Sequence, residues 1–149
     1  PTPYPQCCNL KSDAQVGHNF MQRFIPLVAR AFLATIFLYS AFGKITGFSG
    51  SQQYMAASGI PAQLTGLLLV GAIVLEVVGG LSVLLGYKAR WGAIALLVFL
   101  IPTTLIFHTD FSQRMQIIQF LKNLGLIGGL LMVYYAGSGP LSLDNKEAG

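Results

Sequence analysis

The chain has 149 residues, of which 54% are hydrophobic and only 9% charged, with a net charge of +4 and a mean hydropathy of +0.64. Soluble domains carry about 25% charged residues, so this chain lacks the charge to clothe a water-facing surface and reads as an integral membrane protein. Its Lys and Arg are scattered and form no basic run, which excludes a nucleic-acid partner.

Residues 1–22 read as a polar tail. Pro1, Pro3 and Pro5 rule out a regular helix at its start. No apolar run precedes a small-residue cleavage site, so no secretory signal is expected in this chain, and a start at Pro1 rather than Met suggests trimming of something longer. The two cysteines, Cys7 and Cys8, are adjacent. They read as ordinary solvent-side thiols, with acylation of a juxtamembrane cysteine as the alternative. They lack the spacing of a redox pair, and no second pair exists to build a metal site.

Residues 23–137 read as an all-α domain, a four-helix transmembrane bundle with a short interfacial helix between helices one and two. Helix one runs from about Phe24 to Gly43, with Pro26 in its first turn and Lys44 favourable to the dipole at its end. Phe48 to Gln63 is too short and polar to span and suits an interfacial helix stopped by Gly59 and Pro61. Helix two runs from Leu64 to Gly86, roughly 34 Å, enough to cross a hydrocarbon core. Its one charge, Glu76, lies near its middle. A carboxylate there costs on the order of 2.5–3.5 kcal/mol against lipid, so it should face protein or water. Gly79 and Gly80 share its face and admit a neighbouring helix.

Tyr87 to Trp91 is a short basic turn with aromatic anchors. Helix three, Trp91 to about Phe107, carries Pro102, Thr103 and Thr104, a kink whose freed carbonyl a threonine hydroxyl can satisfy. His108 stands just past its end and reads as a capping residue before a metal ligand. Helix four, Met115 to about Ala136, places Gln119, Lys122, Gly125 and Gly129 on one face, with Asn123 beside Lys122. Residues 138–149 read as a polar C-terminal tail. Five cations on the side of the termini against two on the other put both termini on the cytoplasmic or stromal side.

Arg30, Gly43-Lys44, Glu76 with Gly79-Gly80, Gly86 with Arg90, His108, Lys122-Asn123 and a closing Gly-x-Gly-Pro-x-Ser-Leu-Asp occur in this order. The series resembles the DoxX family of small four-helix membrane proteins, over about Phe24 to Asp144. The run from Leu84 to His108 looks most like the versions found in oxygenic phototrophs. The resemblance implies a thylakoid or bacterial plasma-membrane protein and a link to membrane redox complexes, the family being named for a thiosulfate:quinone oxidoreductase.

The helix depths suggest a buried polar cluster of Arg30, Glu76, Lys122 and Asn123. Tyr39, Lys44, Thr103, Thr104 and His108 are candidates to line a ligand pocket, and Gly79, Gly80, Gly125 and Gly129 to pack helices. The spans hold no cysteine and one edge histidine, so no cofactor of its own is expected, while a quinone, a lipid or a neighbour's pigment could be held. These readings favour a non-catalytic accessory or assembly subunit of a larger membrane redox or photosynthetic complex, with membrane lipid and other integral subunits as partners. The alternative is a quinone-linked oxidoreductase subunit with its site at Glu76 and Lys122.

Overall fold

The structure, a computed structural model, describes residues 9–144. It contains five helices and, among the described residues, no strand: α1 (Asn9–Thr46), α2 (Phe48–Ala57), α3 (Ala62–Leu85), α4 (Ala89–Phe107) and α5 (Arg114–Ala136). Four of them, α1, α3, α4 and α5, are long and apolar enough to cross a membrane. Cys7, Cys8 and Lys146 lie outside the described residues.

Helix one differs from its sequence reading at both ends. It begins at Asn9 instead of near Phe24, because no proline interrupts residues 9–25, and Pro26 therefore sits inside the helix and not in its first turn. At the other end it continues past Gly43 to Thr46, which carries Lys44 onto the bundle's inner side. The chain then breaks at Gly47 and re-forms as α2.

Helix α1 packs along α3, α3 along α4 and α4 along α5, whereas α1 and α5 meet over a short stretch only. Two depths calibrate the bundle. Lys44 faces Glu76, and Gln52 of α2 reaches Gly66 of α3. Glu76 is about 16 Å from Thr65 and about 15 Å from Gly86 by helical rise, so the polar pair lies midway through the span.

Between that level and the α3–α4 turn the helices interlock. Val83, Ala89, Ala93, Leu96 and Leu130 are all 0% exposed. Gly79 permits this approach, since a Cβ there would stand 2.7 Å from Leu96 Cγ and 3.1 Å from the Gly92 carbonyl oxygen.

A clasp closes the same end. Gly86 takes a left-handed conformation, φ +67°, and turns the chain from α3 toward α4. The segment after α5 folds over this turn: the Asp144 N–H donates to the Gly86 carbonyl at 3.0 Å. The Asp144 carboxylate in turn accepts from the backbone N–H of Lys88 at 2.6 Å and of Ala89 at 3.3 Å, which caps the first turn of α4.

Candidate functional site

The Lys44 ammonium donates to Glu76 Oε1 at 2.9 Å, to Glu76 Oε2 at 2.8 Å and to Ser40 Oγ at 2.6 Å. Ser40 stands one turn before Lys44, so the two share a face of α1. The Glu76 side chain is 1% exposed and that of Lys44 24%. The ammonium also lies 5.3 Å from the centroid of the Phe99 ring on α4, a cation–π distance. One α1 cation thus fixes α1, α3 and α4 at one depth.

This corrects the cluster expected from sequence. Glu76 pairs with Lys44, and neither Arg30 nor Lys122 is its partner. Arg30 lies fourteen residues before Lys44, about 21 Å along α1, and is buried in the clasp. Its Nε donates to the Pro26 carbonyl at 3.3 Å and its Nη2 to the Leu141 carbonyl. Nη1, buried against the Gly86 backbone, has no hydrogen-bond acceptor among the described residues. Lys122 is exposed on α5. Asn123 is buried and donates from Nδ2 to Thr104 Oγ1 at 3.0 Å, while Thr104 donates to the Leu100 carbonyl at 2.7 Å.

Beyond the pair, toward α2 and the α4–α5 loop, the bundle opens into a cavity of about 1150 Å³. It brings together Tyr39, Ser40, Lys44, Glu76, Thr103, His108, Lys122 and Asn123; of the pocket candidates only Thr104 stands behind its wall. Tyr54 of α2 stacks on Phe107 at 5.6 Å between ring centroids, and both residues line the cavity. His108 Nδ1 faces Gln116 Oε1 at 2.8 Å, a contact that ties the end of α4 to the first turn of α5. Phe99, at the level of the pair, is about 13 Å from His108 by helical rise. The cavity thus runs from mid-membrane to the membrane edge, with polar groups at the pair, at Thr103 and Asn123, and at His108.

The expected packing glycines divide. A Cβ at Gly79 would strike Leu96, one at Gly80 would stand 3.1 Å from Leu38 Cδ2, and one at Gly129 would stand 2.9 Å from Leu33 Cδ2; one at Gly125 meets nothing within 4 Å. The pair Gly125 and Gly129 therefore does not act as one packing motif: of the two, Gly129 alone is pressed against α1.

Outside the spans, two carboxyls titrate below their usual range. Hydrogen bonds from the Ser112 hydroxyl and N–H hold Asp110 down. For Asp144, burial pushes the value upward, but the Lys88 and Ala89 N–H groups, the Ser138 hydroxyl and the Arg30 charge outweigh it and leave it lowered.

Ser40, Phe99 and Gln116 were not singled out by sequence reasoning, and Asp144 entered it only as the last residue of the closing Gly-x-Gly-Pro-x-Ser-Leu-Asp series. Ser40 was accessible to it, lying four residues from Lys44 on a helix. The others join elements whose relative rotation no local pattern reveals.

Comparison with known proteins agrees with this architecture. The family model described as DoxX matches residues 25–109. The inner membrane protein YqjF of Escherichia coli (strain K12) is 39% identical over 118 residues, 79% of this chain and 88% of its own length. The inner membrane protein YphA of the same organism is 31% identical over 125 residues, 80% of this chain and 88% of its own. The ER-derived vesicles protein ERV29 of Saccharomyces cerevisiae (strain ATCC 204508 / S288c) is 31% identical over 80 residues, 50% of this chain but 26% of its own. No solved structure matches.

Proposed function

Because the chain belongs to the DoxX family of multi-pass membrane proteins, we propose that it is a non-catalytic subunit of a larger membrane redox assembly, and that its own contribution is to hold a lipid-soluble amphiphile in the cavity beside Lys44 and Glu76. The observation that carries this reading is the placement of a polar pair, halfway through the span, at the end of a cavity of about 1150 Å³. Small-molecule sites typically enclose about 300–1,000 Å³, mostly apolar with a few placed polar groups, and this cavity has that character. A pair needed only to fix helix register would sit as well in a filled core.

The bacterial plasma membrane is the location favoured by the two inner-membrane relatives, and the charge asymmetry of the loops favours cytoplasmic termini. Large apolar side chains such as Phe32 and Trp91, 72% and 71% exposed, offer contact to lipid or to a neighbouring subunit. The test is gentle purification of the native protein, followed by identification of the co-purifying chains and extracted lipids. Fixed partners together with a stoichiometric small amphiphile are expected. A lone monomer carrying only bulk lipid would overturn the proposal.

A second reading, a quinone-linked oxidoreductase subunit, is favoured by the polar groups spaced along the cavity from the Lys44–Glu76 pair through Thr103 and Asn123 to His108. Turnover of quinone by the purified chain with an added sulfur donor would select it.

A further inference from the structure

We infer that the cavity selects amphiphiles with an anionic head, which enter sideways between α1 and α5 and are held by Lys122. The inference rests on the reading of the cavity as a ligand site and names the chemistry of its ligand.

An ammonium has three N–H donors, and Lys44 faces three acceptors, Ser40 Oγ and the two Glu76 oxygens. Its charge is balanced by Glu76. The pair therefore offers an arriving molecule neither net charge nor a spare donor. Lys122 lines the same cavity, and among the described residues it has no ion pair or hydrogen bond. The other polar groups on the wall are Tyr39 from α1, Ser51 and Tyr54 from α2, Thr103 and His108 from α4, and Asn123 from α5. None of these is an acid. With Lys44 and Glu76 cancelling, the described wall carries one uncompensated positive charge, on Lys122.

Lys122 lies eight residues into α5, about 12 Å from its start. An ammonium held inside a membrane favours a counter-ion or water, and no protein carboxylate is left to provide one here. A ligand carboxylate or other anionic head would complete the set.

At Gly129 a Cβ would stand 2.9 Å from Leu33 of α1, whereas one turn nearer Lys122, at Gly125, it would meet nothing within 4 Å. Residues four apart share a helix face, so α1 and α5 separate toward Lys122. The seam opens to lipid beside the free cation. An amphiphile entering there places its head on Lys122 and its apolar chain against Ile36, Val98 and Leu126, which line the cavity.

The competing role for Lys122 is to stretch along its own helix toward the headgroups, as long cationic side chains do. Equilibrium binding separates the two. The protein in nanodiscs of zwitterionic lipid is titrated at mildly alkaline pH with labelled hexadecanoic acid and with hexadecanol, against empty nanodiscs. The acid is expected to bind about tenfold tighter, the scale of one charge-assisted hydrogen bond. Lys122→Gln should equalise the two probes without lowering the melting temperature, because the side chain is exposed, and Lys122→Arg should keep the preference. Saturable, equal binding of both probes to the wild type would overturn the charge inference and leave the cavity reading intact, as would a preference that survives Lys122→Gln. Absence of saturable binding by either probe would overturn both.

Discussion

Toward the α3–α4 turn the helices interlock around 0%-exposed side chains and are tied by the Asp144 clasp. Toward α2 and the α4–α5 loop the same helices part around a cavity. The division falls at Lys44 and Glu76. Glycine shows the contrast most directly: at Gly79 hydrogen in place of a side chain admits Leu96, while Gly71 and Gly125 have nothing within 4 Å of where a side chain would begin. Small residues at helical spacing permit close approach; the partner's large residues decide whether it happens. One end of the molecule is built to stay closed, and the other leaves room beside a charge pair.

The largest effect should come from the boundary itself. Glu76→Gln leaves the half-buried Lys44 ammonium without its counter-charge, and since breaking a fully buried pair typically costs about 3–5 kcal/mol, the loss should lie toward the lower end of that range. The melting temperature in mild detergent is expected to fall sharply. Glu76→Gln combined with Lys44→Met should recover most of the loss, since replacing both charges is often neutral. Recovery by Arg30 or Lys122 replacement instead would contradict the pairing described above.

A smaller effect compares the two halves at constant chemistry. Gly79→Ala pushes a methyl into Leu96 and should cost about 1–3 kcal/mol, as overpacking does. Gly125→Ala adds the same methyl in open space, and the gain in helix propensity, up to about 1 kcal/mol, should leave melting unchanged or raised. Equal losses at both positions would mean that α1 and α5 are closed along their full length.

Much of the closed half was legible in the sequence. Length and hydropathy marked the four spans, and the lone Glu76 with Gly79 and Gly80 marked the buried face of α3. The site was legible in its parts and not in its pairing. Arg30, Lys44 and Lys122 were each visible as a cation in or near a span, yet choosing between them required knowing where α1 ends. The sequence signal at Gly43-Lys44 suggested a stop, and the helix instead runs three residues beyond Gly43 to Thr46. That extension brings Lys44 to Glu76, with Arg30 about 21 Å away along α1. The clasp was less legible still: residues 138–149 are polar and glycine-rich, and nothing local says that Leu141 and Asp144 return to Arg30 and Lys88.

The smallest effect concerns that clasp and comes from pH. The Asp144 carboxyl is held below the usual value, so its charged form is the one that binds the Lys88 and Ala89 N–H groups and attracts Arg30. For a lowered carboxyl the stabilisation is complete above its unfolded value of about 3.9 and is lost as pH falls through the lower folded value. Hydrogen exchange at the Lys88 and Ala89 amides, expressed as protection relative to the intrinsic rate at each pH, should therefore stay level from neutrality down to about pH 4 and decline below it. Asp144→Asn keeps one acceptor oxygen and loses the charge; its protection should be lower at neutral pH and should not change through the acid range. The Glu76 level, deep in the span, serves as the internal reference, because opening of the clasp alone leaves amides near Val77 and Leu96 protected. If the Lys88 and Ala89 amides and those deep amides lost protection together, the acid transition would belong to the whole bundle and the clasp would not be a separable unit of the closed half.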